Sequence, residues 1–227
     1  MNALISKFYT KSIRLTPDGF SFYKISDNEL EHRDFVNNQN VLITTEAPKF
    51  FDFGSQDIQP LDIVVATQPA MLVPDSIYSD DKAREYLKLQ FDISQIGQHF
   101  SDQVSHYRAL YFLNQNEYST VNELKCLPRF VSEASLLYKF VSEQNQKDSM
   151  LLSINDTFAD IIVLHQNEPS LVNRITRMEN VDILYYTLNC VMQFGLSAPA
   201  IFIHYFSKTN KNLNDLLKQY HNNITIL

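Results

Sequence analysis

The chain has 227 residues, 44% of them hydrophobic and 20% charged, a composition typical of a soluble globular protein of one or two domains. Its formal net charge is −7, so it lacks the surplus of lysine and arginine with which proteins neutralise nucleic-acid phosphates, and we expect no nucleic-acid partner. It has four glycines, and the closest two, Gly19 and Gly54, are 35 positions apart, which excludes every glycine-rich phosphate loop.

Targeting signals and cysteine motifs are not evident in the sequence. No apolar run approaches the roughly 18 residues of a membrane span, and residues 1–10 lack the continuous apolar stretch of a signal peptide. Cys126 and Cys190 are isolated, and neither belongs to a zinc or redox motif, although a disulfide between them is left open. These features predict a cytoplasmic protein with no membrane span.

In chain order, the first predicted element is a β-hairpin. Residues 11–25 alternate between apolar and polar side chains on both sides of a Pro-Asp-Gly turn at 17–19. A third strand is predicted over 29–36. Residues 37–60 are rich in Asn and Gln and are predicted to form a loop, with one strand at most, over 41–45.

The middle of the chain has weaker patterns. We predict a buried strand over 61–66, a helix over 80–89 and a strand over 104–113. Two further helices are predicted over 121–125 and 132–143. The most polar short stretch, 144–149, is the best candidate for a boundary between two lobes.

The second part of the chain repeats the pattern of the first. A hairpin over 150–165 has its turn at 155–157, and a third strand is predicted over 170–176. A helix over 181–194, a buried strand over 200–206, a helix over 213–220 and a last strand over 224–227 follow. The helix over 181–194 is predicted to end at a left-handed cap at Gly195 and to have a broad apolar face. The residues of that face are Val181, Leu184, Tyr185, Leu188, Val191, Met192 and Phe194.

Two similar series of strands and helices indicate an α/β chain with two lobes, 1–146 and 147–227. Four blocks of sequence, KSIRLTPDGFSFYKIS, LVPDSIYSDDKAREYL, LLSINDTFADIIVL and DILYYTLNCVMQFGL, resemble the domain-of-unknown-function family DUF3822 of Bacteroidota. The similarity extends from about residue 12 to residue 227. It implies two ribonuclease H-like lobes in an actin-like ATPase arrangement, with mixed five-stranded sheets flanked by helices, and it implies no biochemical activity.

The resemblance to the actin-like superfamily also implies where a nucleotide would bind. In its nucleotide-binding members, two glycine-rich hairpins with aspartates hold the phosphates and Mg²⁺. In the second hairpin of this chain the leading acid becomes Ser153, and the three glycine positions become Asn155, Asp156 and Thr157. Only the last acid is kept, as Asp160.

The first hairpin and the adenosine-binding strand also depart from the superfamily pattern. The leading acid of the first hairpin falls on Arg14, and its glycine-rich turn becomes Thr16, Pro17, Asp18 and Gly19. The strand that normally ends in two glycines becomes the bulky sequence IHYF at 203–206. The resemblance therefore implies a degenerate site that has lost ATP, and we expect no cofactor, no resident metal and no catalytic residue. The degenerate positions are Thr16, Asp18, Asn155, Asp156 and Asp160.

The remaining acids allow two interpretations. Asp156 and Asp160, with Asp18 from the matching hairpin, could form a Mg²⁺ cluster of the ribonuclease H type. Alternatively, Asp156 bonds its own backbone in a turn and Asp160 is a solvated strand residue. A nuclease of this fold needs an acid where Arg14 stands, so the second interpretation is favoured.

We therefore expect a non-catalytic actin-like module that binds a protein partner or a small ligand at its inter-lobe cleft or at an exposed sheet edge. Three phenylalanines, at 50, 51 and 53, are either part of such a surface or packed onto the nearest lobe. The alternative function is a divergent ATPase or phosphotransferase that uses Asp160 and Asp18 with Mg²⁺.

Overall fold

The computed structural model describes residues 3–27, 29–36, 41–53, 60–176, 179–206 and 208–227. The chain divides into two compact units, Met1–Leu136 and Leu137–Leu227. The lobe boundary expected after residue 146 stays a prediction. Among the helices in these ranges, none combines the length and the apolarity that crossing a membrane requires.

The first unit contains a mixed sheet of five strands and a smaller sheet of three. Its strands are β1 (Lys11–Thr16), β2 (Gly19–Ser26), β3 (Glu29–Val36), β4 (Pro60–Val65), β5 (Met71–Pro74), β6 (Gln98–Val104), β7 (Tyr107–Leu113) and β8 (Leu127–Ser132). Its helices are α1 (Ala3–Phe8), α2 (Val41–Phe50), α3 (Ala83–Leu87), α4 (Gln115–Asn122) and the start of α5 (Glu133–Ser142). The large sheet has the order β3-β2-β1-β4-β8, with β1 antiparallel to β2 and parallel to β4.

The second unit is built around one five-stranded sheet. Its strands are β9 (Asp148–Ile154), β10 (Phe158–His165), β11 (Glu168–Thr176), β12 (Ala200–Tyr205) and β13 (Ile224–Ile226). Its own helices are α6 (Asn180–Gln193) and α7 (Lys211–Lys218). The strand order β11-β10-β9-β12-β13 and the strand directions repeat those of the first unit's large sheet. The predicted α/β class with two mixed five-stranded sheets is confirmed, as are the two hairpins and their third strands.

The predicted loop after β3 is wrong where the structure describes it. Residues 41–50 form α2, so the strand expected over 41–45 is a helix instead; residues 37–40 and 54–59 of the predicted loop lie outside the described residues. Ile43 and Ala47 lie one helical turn apart and are fully buried. Burial of this face offsets the low helix propensity of the β-branched residues and of Pro48.

The three phenylalanines that follow α2 do not form an exposed surface. Phe50 and Phe51 are buried, with their rings 5.4 and 5.5 Å from the ring of Phe22 on β2. Phe53 stacks on Phe51 at 5.7 Å. The interpretation of this group as a partner-binding surface is therefore wrong, because aromatic packing on the sheet covers most of it.

The small sheet differs most from the prediction. It has the order β5-β7-β6 and is inserted in sequence between β4 and β8. The single strand expected over 104–113 is the hairpin of β6 and β7, which turns at a left-handed Ser105. The helix expected over 80–89 is a short 3-10 turn followed by α3. The helix expected over 121–125 lies earlier in the chain: it is α4, which ends at Asn122.

Helix α6 was predicted in the right place, but only part of its predicted apolar face is buried. Ile183, Thr187 and Cys190 face the core. Of the predicted face, Leu184, Val191 and Phe194 pack against that core, whereas Val181, Tyr185 and Met192 are exposed. The predicted cap at Gly195 is confirmed: its φ is 59°, its N–H reaches the Met192 carbonyl, and the Leu196 N–H reaches the Val191 carbonyl.

Candidate functional site

The first hairpin, β1–β2, places the predicted site residues around a tight turn. Leu15 pairs with Phe20, and the Thr16 hydroxyl donates a hydrogen bond to the Gly19 carbonyl at 3.1 Å. Asp18 is exposed at the tip of the turn. A Cβ on Gly19 would lie 2.0 Å from the Phe35 carbonyl oxygen of β3, so this glycine is required by the neighbouring strand, without any phosphate.

Arg14, at the position of the leading acid, forms a buried ion pair. Its Nε donates to Oε2 of Glu133 at 2.6 Å, and its Nη2 donates to Oε1 at 3.0 Å. Both side chains are almost completely buried. This bidentate geometry joins the middle of β1 to the first residue of α5, and it is the arrangement in which an arginine and a carboxylate bind most strongly.

Two buried tyrosines complete the surroundings of this ion pair. The rings of Tyr9 and Tyr23 lie 5.0 Å apart. Burial raises the pKa of Tyr23 to about 12, and burial followed by the charge of Glu133 raises the pKa of Tyr9 well above its ordinary value. Burial by itself would lower the pKa of Arg14, but the Glu133 carboxylate outweighs it and the pKa of Arg14 is raised. The Arg14 guanidinium and the Glu133 carboxylate therefore neutralise each other beside two tyrosines that stay uncharged at neutral pH.

The second hairpin, β9–β10, has the same geometry with different side chains. Ile154 pairs with Ala159, and the Asn155 N–H donates to the Phe158 carbonyl at 2.8 Å. Asn155 is buried, and Asp156 is exposed in the turn. The carboxylate of Asp156 thus lies at the surface, as the interpretation of it as a turn residue requires.

Asp160 lies on β10 and is not a solvated strand residue, so that prediction is wrong. Arg174 on β11 donates from Nε to Oδ1 of Asp160 at 2.7 Å and from Nη2 to Oδ2 at 2.8 Å. Only 7% of the Asp160 side chain and 6% of the Arg174 side chain are exposed. The Arg174 guanidinium also lies 3.8 Å from the centre of the Phe158 ring, which covers one face of it.

The ion pair of the second unit depends on a one-residue irregularity in β11. The pairing register shifts between Val163 and Leu164, where Leu164 pairs with Pro169 and Val163 pairs with Leu171. The extra residue, Ser170, brings Arg174 opposite Asp160; in a regular hairpin Asn173 would occupy that place. The bulge therefore selects the partner of the only acid kept from the superfamily pattern.

The hairpins occupy equivalent places in their sheets. Because Leu15–Phe20 and Ile154–Ala159 are the pairs that flank the two turns, Arg14 corresponds to Ser153 and Ser21 corresponds to Asp160. The next strand carries Asp34 opposite Ser21, where the Ser21 hydroxyl donates to Oδ1 of Asp34 at 2.6 Å. Both units thus hold a polar cross-strand row behind the turn, and in each unit its members bond to protein groups.

The strand expected to border an adenosine is filled by its own side chains. His204 is fully buried, and its ring lies edge-on to Phe206 at 4.3 Å. The Tyr205 hydroxyl donates to Oδ1 of Asn214 at 2.7 Å, and burial raises its pKa to about 12. The side chains predicted to be bulky at this strand therefore belong to the core of the second unit.

These residues do not fit Mg²⁺ with a triphosphate. Proteins usually hold Mg²⁺ through one or two carboxylates together with phosphate oxygens and water, but Asp160 already accepts two hydrogen bonds from a guanidinium, and a cation stands at the Arg14 position. In the ranges that the structure describes, no three His, Cys, Asp or Glu side chains are grouped so that they could hold a metal ion.

Sequence reasoning missed the two ion-pair partners of the site residues, Glu133 and Arg174, because neither belongs to a hairpin turn motif.

Comparisons with solved structures identify the fold. A protein of unknown function with an actin-like ATPase fold from Bacteroides thetaiotaomicron has 17% identity and a TM-score of 0.71, with 100% of this chain and 94% of that chain covered. A PilM–PilN type IV pilus biogenesis complex has 11% identity and a TM-score of 0.65, with 96% and 88% covered. The ethanolamine utilization protein EutJ from Carboxydothermus hydrogenoformans has 4% identity and a TM-score of 0.53, with 96% and 84% covered.

No curated protein matches the chain. A family described as "Protein of unknown function (DUF3822)" matches residues 1–224, which is nearly the whole sequence. The two five-stranded sheets of identical strand order agree with the actin-like ATPase fold of the structural neighbours. The chain belongs to the DUF3822 family and has an actin-like ATPase fold.

Proposed function

We propose that this chain is a non-catalytic actin-like module, with a degenerate nucleotide site, that acts by binding a protein partner. The observation that carries the proposal is the buried Arg14–Glu133 ion pair, which stands where nucleotide-binding relatives have their leading acid. The first hairpin thus carries a cation, Arg14, whose charge is already neutralised by the Glu133 carboxylate. The second hairpin supports the same conclusion, because its remaining acid is bound to Arg174.

Energetics support the loss of Mg-nucleotide binding. To coordinate Mg²⁺, Asp160 would have to leave Arg174, and breaking a buried ion pair typically costs about 3–5 kcal/mol. That cost alone would weaken the binding of a ligand by about two to three and a half orders of magnitude, since 1.4 kcal/mol corresponds to a factor of ten. In the first hairpin, a Mg²⁺ ion near Arg14 would also meet a like charge.

The interaction role is supported by one structural neighbour. PilM, which shares the fold, is found in a complex with PilN, an example of this fold holding another protein. Cys126 and Cys190 are both free and buried, as expected in a reducing compartment, and this supports a cytoplasmic location for the module.

Isothermal titration of the full chain with Mg-ATP and Mg-ADP tests the nucleotide part of the proposal, together with a phosphate-release assay. We expect no binding heat beyond dilution and no phosphate release above the blank. A micromolar Kd would instead favour the divergent ATPase or phosphotransferase. In that case Asp18→Ala should weaken binding, and Lys88→Ala, a matched exposed change outside both hairpins, should not.

Partner binding is tested by capture from cells of the host organism, with and without ATP depletion. We expect to capture a partner protein whose binding saturates, and we expect the captured amount to stay the same when ATP is removed. A partner that is recovered only in the presence of ATP would contradict a module that has lost its nucleotide site.

A further inference from the structure

Helix α6 has an outer face that is unusual for an exposed helix of an acidic protein. Its 14 residues include a single charged side chain, Asp182. Three large apolar side chains on its outer face are exposed: Val181 by 58%, Tyr185 by 63% and Met192 by 79%. Together with the half-buried Leu188 they form a continuous row, which we call the α6 stripe (Val181, Tyr185, Leu188 and Met192).

The spacing of the α6 stripe identifies the kind of surface that would cover it. Its members follow one another at intervals of four, three and four residues, which is the spacing of the apolar seam of a coiled coil. A row with this spacing is complementary to another helix that lies nearly parallel to it, so that side chains interlock along about three turns.

We propose that the α6 stripe is the interface of a homodimer, in which α6 of a second copy packs antiparallel to α6 about a two-fold axis. Such an interface must be complementary to itself, and an uninterrupted apolar row meets this condition. Beside the stripe, Tyr186, Asn189 and Gln193 are neutral, and the one charged side chain of the helix, Asp182, lies in its first turn. Flanking charges along the seam are what normally select a different partner helix, and α6 has none beyond its first turn.

Charge determines the antiparallel orientation. The first turn of α6 carries Asp182, which accepts a hydrogen bond from the Glu179 N–H at 2.7 Å. A parallel pair would place Asp182 and Glu179 next to the same residues of the other copy and would align the two helix dipoles. An antiparallel pair separates these acids and places each helix start beside the uncharged end of the other helix. Because each chain carries a net charge of −7, a neutral row is where two copies can approach with least repulsion.

Sedimentation velocity of the full chain between about 1 and 100 μM tests the dimer. We expect a concentration-dependent dimer whose dissociation constant rises at least about tenfold in Tyr185→Glu. Leu89→Glu is the matched control, since Leu89 is an exposed apolar residue of the first unit (82%), and this variant should dimerise like the natural chain. A monomer at all concentrations, a dimer that survives Tyr185→Glu, or equal loss in both variants would overturn the proposal.

Disulfide cross-linking tests the orientation independently of affinity. In the antiparallel pair Val181 of one copy lies beside Met192 of the other, so a mixture of Val181→Cys and Met192→Cys chains should form mixed disulfide dimers. Val181→Cys alone should not cross-link, and the native cysteines do not interfere because both are buried. Efficient cross-linking of Val181→Cys alone would show a parallel pair and overturn the proposal. The dimer does not depend on the loss of the nucleotide site, so the titration with Mg-ATP and this experiment can fail separately.

Discussion

Removing the Asp160 carboxylate should destabilise the second unit strongly. In Asp160→Ala the Arg174 guanidinium loses both of its carboxylate hydrogen bonds and stays in a site where only 6% of its side chain is exposed. Leaving one member of a buried ion pair without the other costs about 3–5 kcal/mol, a large part of the 5–15 kcal/mol typical of a folded domain. Asp156→Ala, which changes an exposed acid of the same hairpin, should alter the unfolding free energy by no more than about 0.5 kcal/mol.

The assay must report on the second unit by itself, because a chain of two units need not unfold in one step. The protein has no tryptophan, so we choose amide hydrogen exchange with mass spectrometry on peptides from β9, β10 and β11, combined with urea. The double change Asp160→Leu with Arg174→Met should recover most of the loss, because it removes both charges. A cost below about 1 kcal/mol for Asp160→Ala would refute the reasoning, since it would mean that Asp160 is solvated.

Three further predictions concern stability. Arg14→Ala should lower the unfolding free energy of the first unit by about 3–5 kcal/mol, measured by urea titration followed through hydrogen exchange of peptides from β1, β2 and β4, because Glu133 is left buried and without its arginine; an unchanged midpoint would contradict this. Gly19→Ala should cost about 1–3 kcal/mol in the same titration, because its methyl group would lie 2.0 Å from the Phe35 carbonyl oxygen, and a neutral effect would show that β3 can move away. For Asp148, burial opposes the charged form, but hydrogen bonds from two backbone N–H groups and a histidine outweigh it, so the pKa is lowered from 3.8. Its stabilisation is therefore present above pH 3.8 and is lost as the pH falls through the lowered value. In denaturant titrations between about pH 5 and 3, Asp148→Asn should lose stability less steeply than the natural chain, and equal slopes would contradict the prediction.

The two hairpins could be predicted because their signals are local. Alternation with a period of two on both sides of a turn fixes the faces of both strands over about 15 residues. Helix α2 could not be predicted in the same way. Its first half contains β-branched residues and its second half contains Pro48, so local propensity disfavours a helix that burial of Ile43 and Ala47 stabilises.

The buried face of α6 shows a second limit of sequence reasoning. Apolar residues surround much of this helix, so periodicity alone does not say which of them face the sheet. Ile183 and the small Thr187 and Cys190 pack inward, whereas the larger Tyr185 and Met192 remain outside. The sheet selects the buried side, and the leftover apolar residues become visible only in the structure.

The partners of the candidate site residues could not be predicted because they depend on long-range geometry. Glu133 is 119 positions from Arg14 and meets it only after the sheet has formed. Arg174 is 14 positions from Asp160, but the bulge at Ser170 decides whether Arg174 or its neighbour faces the acid. The sequence shows directly that the glycines and the leading acids of the superfamily pattern are missing. It does not show that ion pairs stand at Arg14 and Asp160 instead.

We propose that buried ion pairs occupy both hairpins in place of a metal-bound triphosphate. A crystal structure of the full chain grown with Mg-ATP tests it most directly. We expect Arg14 to remain on Glu133 and Asp160 on Arg174, with no nucleotide density at either turn. Ordered triphosphate density against the backbone of residues 155–158, with Asp160 turned from Arg174 towards Mg²⁺, would contradict the account.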